Sequence, residues 1–261
     1  MSVLDDIIAA KRREVEAAKQ RLPLDELRRR VEARQTRRPF KAALQQAKRP
    51  ALIAELKRQS PSRGMLRERF DPVMLAQQLQ EAGAAALSVL TDEPFFGGHL
   101  EFLRDAHQFT DIPALRKDFI LEPYQVYEAV YYEADAILLI VGMLNDSELR
   151  QLLTVARQIQ LDAIVEVHDE PQLARALAAG ADLIGINHRD LRTFAMQPDT
   201  TARLVPKVPK GPLLIAESGV QTRDDVQRLQ ALGVTAVLIG EALMTAPDPT
   251  AKVRELFDGV W

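Results

Sequence analysis

Short apolar runs of Val, Ile, Leu and Ala recur along the chain, separated by longer segments whose apolar residues repeat at helical spacing. The runs predict strands near 51–56, 85–91, 112–117, 135–141, 162–167, 182–187, 212–217 and 234–240. Helix starts are legible at Asp71-Pro72, Glu122-Pro123, Asn145-Asp146, Asp169-Glu170-Pro171 and Thr222. Gly83, Gly180 and Gly233 each stand just before the next strand, where a left-handed helix stop suits glycine. The phrases EAGAAALSVL, AAGADLIGIN and ALGVTAVLIG are versions of one helix–Gly–strand unit. Runs this continuously apolar fit parallel strands buried on both faces. Eight such units predict an α/β fold, a closed (β/α)8 TIM barrel. An open doubly wound sheet is the alternative, but it more often uses fewer strands and a Gly-rich nucleotide turn. The chain has no G-x-G-x-x-G or Walker sequence.

Residues 1–49 precede the first strand and carry two or three helical patterns, the last around 41–47 after Pro39-Phe40. They are too short and too charged for a core of their own. The expectation is one domain over 1–261, with 1–49 as a helical extension packed over one end of the barrel.

Composition narrows the function classes. The 261 residues are 47% apolar and 27% charged, as in a globular soluble protein. A net charge of −3 argues against a general nucleic-acid binder. The basic stretch Arg28, Arg29, Arg30, Arg34, Arg37 and Arg38 lies among Glu26, Glu32 and apolar residues, and is read as a solvated helix face. Without cysteine there is no disulfide, thiolate metal site or Cys nucleophile. The N-terminus has Asp5 and Asp6 but no long apolar run, so neither a secretory leader nor a membrane span is expected, and the cytoplasm is the default address. His99, His107, His168 and His188 show no ligand spacing and are read as ordinary polar residues, with no metal.

In such a barrel the chemistry sits at the C-terminal ends of the strands. Glu55 and Lys57 end the first strand, and their i, i+2 spacing places them on one face. Lys117 ends the third, Glu166 the fifth and Asn187 the sixth. Glu217-Ser218-Gly219 end the seventh, and Gly240-Glu241 the eighth. Any one of these could be a surface residue or half of an ion pair. Together, lysines and glutamates in one mouth would shift each other's proton affinities, which suits proton transfer on an anionic substrate. Ser218-Gly219 and Gly240-Glu241 follow the two strands whose loops often bind phosphate. The Glu241 side chain would repel an anion if turned inward, so its N–H is the expected contact. Phe95-Phe96-Gly97-Gly98 is either a lid, an aromatic wall or core packing.

The motifs IAELKRQSPSRG, SVLTDEPFFGGHLEFL, LRKDFILEPYQVYEA, IVEVHDE, GINHRDLRTF, IAESGV and VLIGEALM resemble the indole-3-glycerol phosphate synthase family along nearly the whole chain. The resemblance implies ring closure, decarboxylation and dehydration of 1-(2-carboxyphenylamino)-1-deoxyribulose 5-phosphate in tryptophan biosynthesis, without a cofactor. It makes Lys117 the general acid and Lys57 the partner of the substrate carboxylate, with a possible share in dehydration. Glu166 becomes a base or electrostatic partner with Glu55 beside it, and Asn187 and Glu217 hold substrate polar groups. Ser60, Ser218, Gly219, Gly240 and the Glu241 N–H correspond to phosphate contacts, and Phe96, Phe119 and Phe194 to the anthranilate pocket. His188 departs from the second Asn or small polar residue often found there, and a touch on the rim is expected of it. The implied ligand is a small anionic sugar phosphate, with no nucleic acid, membrane or obligate protein partner. The end of the chain soon after the last strand is read as monofunctional, without an appended isomerase barrel. Another phosphate-binding barrel of the same pathway, or a barrel that binds a sugar phosphate without turnover, stays open.

Overall fold

The computed structural model describes residues 3–32, 37–190, 193 and 195–261. Eight parallel strands close into a barrel: β1 (Ala51–Leu56), β2 (Ala86–Leu90), β3 (Ala114–Lys117), β4 (Ala136–Ile140), β5 (Asp162–Val167), β6 (Leu183–Asn187), β7 (Leu213–Glu217) and β8 (Ala236–Ile239). Each pairs with its sequence neighbours, and β1 closes the ring on β8 with Ala51 opposite Ala236. The predicted strands are all present. Several are a residue or two shorter than their apolar runs, because residues such as Val141 and Val234 stay buried outside the strand.

Period-two alternation divides each strand between two cores. Ala51 and Ile53 of β1, Leu115 of β3, Ile164 of β5 and Ile215 of β7 point into the barrel and form the inner cluster. Leu52, Ala54, Val165 and Ala216 point outward against the helices in the larger cluster. Continuing the inward file upward gives Glu55, Lys117, Glu166 and Glu217, two residues beyond the last apolar one in each case. The fold therefore aims at one mouth the side chains that interrupt the apolar runs.

The outer helices begin where the sequence marks them. Asp71 accepts from the Val73 and Met74 N–H groups at the start of α4 (Pro72–Glu81). Gly180 and Gly233 stop their helices with φ of +80°, a left-handed turn that a Cβ would strain. A hairpin of Gln59–Ser60 with Gly64–Met65 stands over the mouth after β1.

The N-terminal extension forms α1 (Val3–Arg21), α2 (Leu24–Glu32) and α3 (Phe40–Gln46). It does not sit at one end only. Phe40 and Leu44 of α3 are fully buried in the inner cluster beside the first residues of the strands, each worth about 1.5–3 kcal/mol of burial. The Lys41 N–H donates to Asp162 at 2.8 Å, which fixes α3 across the base. Lys11 of α1 is 3% exposed at the opposite end, 3.0 Å from Asp92 and 2.9 Å from Asp118 in the loops after β2 and β3. The basic stretch also differs from expectation. Arg28, Arg29 and Arg30 are exposed, but the half-buried Arg38 donates to the carbonyls of His107 (3.0 Å) and Ile112 (2.9 Å). Arg34 lies outside the described residues. Among the described residues, no helix is long and apolar enough to cross a membrane.

Candidate active site

A cleft of about 940 Å³, open mouth included, lies at the C-terminal end of the barrel. Glu55, Lys57, Ser60, Phe96, Lys117, Phe119, Glu166, Asn187, Glu217, Ser218, Gly219, Gly240 and Glu241 all line it. The structure thus brings together every sequence-nominated residue except Phe194, which lies outside the described residues. Leu138, Ile140 and Leu238 form the apolar floor.

Two ammonium groups divide the carboxylates. Lys57 Nζ meets Glu55 Oε2 at 2.5 Å. Lys117 Nζ stands 3.4 Å from both Glu166 Oε2 and Glu217 Oε2. Glu55, Glu166 and Glu217 are each at most 4% exposed. Burial opposes the charge on Lys117, but Glu217, Glu166 and Glu55 outweigh it and hold the ammonium above its ordinary range. Two ammonium groups cannot fully compensate three close carboxylates. Burial, with repulsion from Glu166 and Glu55, pushes Glu217 up to about 8 against the pull of Lys117. Glu166 goes the other way: burial favours its neutral form, but Lys117, His168 and an Asn187 hydrogen bond keep it low. Two carboxylates in one mouth are therefore driven to opposite protonation states near neutrality, the division of labour that acid–base chemistry needs.

Glycines make the room. A Cβ on Gly240 would lie 2.0 Å from Glu55 Oε2, and one on Gly185 would lie 2.1 Å from Glu217 Oε1. Asn187 Oδ1 accepts the Arg189 N–H at 3.0 Å, which leaves its NH2 group to donate to Glu166. Phe96 and Phe119 stand 6.0 Å apart at a 44° tilt, a wall on one side of the cleft.

The anionic end is more basic than the sequence suggested. Glu241 does face the cleft, but Arg63 (3.0 Å) and Arg189 (3.3 Å) neutralise it. Arg189, a cleft residue, escaped the sequence reading; its signal was a cation two residues beyond the Asn187 strand end. Ser60 Oγ is buried with no hydrogen-bond partner among the described residues. Ser218 and Gly219 both have positive φ, +66° and +82°, so the backbone turns sharply at the rim. His188 is not a rim residue. It is 3% exposed beneath that turn, its ring nitrogens 3.0 Å from the Ser218 carbonyl and 2.6 Å from Thr201 Oγ1. Burial holds its pKa low against the Ser218 hydrogen bond.

The floor of the site is braced from outside. Arg116, which alternation turns away from the cleft, bonds Asp118 at 3.0 Å and Glu128 at 2.9 Å. Asp118 lies beside Lys117 and is held well below the carboxylate range; burial opposes this, but Lys11 and Arg116 prevail.

Comparison with known proteins adds the fold's relatives and the family. The barrel is similar to solved structures of thiamine phosphate pyrophosphorylase from Pyrococcus furiosus and 3-hexulose-6-phosphate synthase from Salmonella typhimurium. The first has a TM-score of 0.61 at 18% identity, covering 81% of this chain and 95% of that one. The second has a TM-score of 0.64 at 14% identity, covering 79% and 96%. At those identities the likeness concerns fold alone. Two relatives described as indole-3-glycerol phosphate synthase are far nearer. That of Albidiferax ferrireducens is 49% identical and that of Roseiflexus castenholzii 48%, each over 98% of both chains. The profile of the same family, indole-3-glycerol phosphate synthase, matches residues 4–256, and the chain belongs to that family.

Proposed function

We propose that this chain converts 1-(2-carboxyphenylamino)-1-deoxyribulose 5-phosphate to indole-3-glycerol phosphate, carbon dioxide and water, as a carboxy-lyase of tryptophan biosynthesis. The observation that carries the assignment is the Lys117 ammonium, set 3.4 Å from two buried carboxylates of opposite proton affinity.

The chemistry follows from that placement. The aromatic carbon that bears the carboxylate attacks the sugar carbonyl, and Lys117 gives its proton to the developing oxyanion. Its carboxylate neighbours keep Lys117 charged, so the donor is loaded before the carbonyl arrives; transfer becomes favourable only as oxygen gains charge. Carbon dioxide then leaves, and its bonding electrons neutralise the iminium formed in the attack. In the last step the new hydroxyl departs as water with one added proton, while Glu166 removes a proton from the ring system and aromaticity is completed. Lys57 is assigned to the substrate carboxylate and is the second candidate donor for dehydration. Asn187 and Glu217 are assigned to the substrate's polar groups, and Phe96 and Phe119 to its aromatic ring, with Phe194 as a third wall. Ser60, Ser218, Gly219, Gly240 and the Glu241 N–H are assigned to phosphate, with Arg189 adding charge. No step requires an electron sink. The proposal takes 1–261 as one domain that acts in the cytoplasm, without nucleic acid or an obligate protein partner.

The test is turnover. The purified chain, given the carboxyphenylamino sugar phosphate, should develop indole fluorescence. A chain that binds the compound and leaves it unchanged would be a binding barrel, and the assignment would fall.

A further inference from the structure

His168 meets the site from outside the cleft. It follows Glu166 by two residues and so shares its side of the strand end, with Nε2 3.4 Å from Glu166 Oε1. Its other contacts determine where its hydrogen sits. The His168 backbone N–H donates to Gln172 Oε1 at 3.1 Å, which identifies that amide atom as the acceptor. His168 Nδ1 lies 3.2 Å from the same oxygen and must therefore carry a hydrogen. A neutral ring with Nδ1–H has only a lone pair at Nε2. Two lone pairs then oppose each other across the contact unless one more proton lies between them. Glu166 Oε1 and His168 Nε2 are both buried, and neither has a hydrogen-bond partner among the described residues.

We propose that His168 is a positioning residue that acts through Glu166: it orients the carboxylate and receives the proton that Glu166 takes from the ring system. The proposal rests on Glu166 as the base. In the step, Glu166 accepts a proton from the substrate and becomes a neutral acid. That proton passes from Oε1 to Nε2, leaving a carboxylate and an imidazolium. Loss of one proton to bulk water restores the neutral ring. The His168 side chain keeps 15% exposure yet does not line the cleft, so the proton leaves without crossing the space of the bound substrate. Other groups around the pair are accounted for. Lys117 faces Glu166 from β3 and Asn187 from β6, with Glu217 of β7 beyond Lys117. Gln172 faces His168 from the helix Glu170–Ala178, and the adjacent Asp169 is occupied by the Gln172 N–H at 2.9 Å.

The experiment is steady-state kinetics of full-length His168→Gln and His168→Ala across pH, the latter with and without added imidazole. We expect kcat to fall about tenfold with KM little changed, since a relay serves turnover and not binding. The acidic limb should move to higher pH, because the imidazolium that favours ionised Glu166 is gone, and in His168→Ala, which leaves room for the ring, imidazole should restore part of kcat in proportion to its concentration. In a Glu166→Gln background the same change should have no further effect. An unaltered kcat and acidic limb, a raised KM alone, or an equal further loss without Glu166 would each overturn the proposal. Should His168→Gln not fold, Gln172→Leu, which frees Nδ1 and lets the neutral ring carry its hydrogen on Nε2, should itself lower kcat with KM little changed, and an unaltered kcat there would overturn the proposal. Absence of product with the unmodified chain would instead refute the parent reaction.

Discussion

Replacing Gly240 by alanine adds one carbon and two hydrogens to the protein, yet it should remove most of the activity. At Gly240 the backbone has φ −122°, which any residue adopts, so only the space matters. The new Cβ would lie 2.0 Å from Glu55 Oε2, 2.9 Å from its Cδ and 3.1 Å from its own Cβ. Ordinary van der Waals contact requires the carboxylate to retreat by about 1 Å or more. It is 4% exposed and tied to Lys57 at 2.5 Å, so the ammonium must move with it. A misplacement of about 1 Å in catalytic geometry costs on the order of 100-fold in rate, about 2.7 kcal/mol at the barrier. The fluorescence assay should show kcat down by that order, with far-UV circular dichroism unchanged and a stability loss of about 1–3 kcal/mol from overpacking. Gly142→Ala is the control, since its Cβ meets nothing nearer than 3.5 Å and should leave kcat as it was. A folded Gly240→Ala enzyme with kcat within about threefold of wild type would refute the claim that Glu55 and Lys57 work as a fixed pair.

Lys117→Ala should lower kcat by about 100-fold or more, the ordinary contribution of a positioned proton donor, with binding of a product analogue retained in titration; normal turnover would remove it as the acid. Glu217 has its pKa raised from 4.5 to about 8 by folding, so the stability it contributes is complete below 4.5 and is lost as pH rises through 8. Glu217→Gln should flatten that decline in thermal unfolding scans over the same window, and an unchanged profile would contradict the proton assignment. Lys11→Met leaves Asp92 and Asp118 buried without their shared cation. The cost should be about 3 kcal/mol, a fall in Tm of about 6–12 °C by calorimetry, and a loss of under 1 °C would show the clamp to be idle.

Strand positions were legible because burial on both faces leaves an apolar run that no surface element imitates, and β1 and β5 have the predicted bounds. The rim was legible because a lysine or glutamate at an inward position of such a run has nowhere to go but the mouth. The short elements inside the connecting loops were not. The Gln59–Ser60 and Gly64–Met65 hairpin and the helical turn Thr200–Leu204 are too short to display a period. Arg189 and His188 show the limit of local reading: adjacent in sequence, one enters the cleft and the other supports the Ser218 turn, and only tertiary contacts separate them. His168 was within reach, since the i, i+2 spacing that joined Glu55 to Lys57 also joins Glu166 to His168.

The 2.5 Å contact between Lys57 and Glu55 bears on how a carboxylated guest is received. A bare buried ammonium would seize any passing anion and release it slowly. Here the ammonium is already paired, so on the role proposed for Lys57 an incoming carboxylate must share it with Glu55 and adds one negative charge to the pair. Much of the desolvation cost is met during folding, before any guest arrives. Affinity is tempered, phosphate alone gains little at this end, and departure of carbon dioxide removes the added charge.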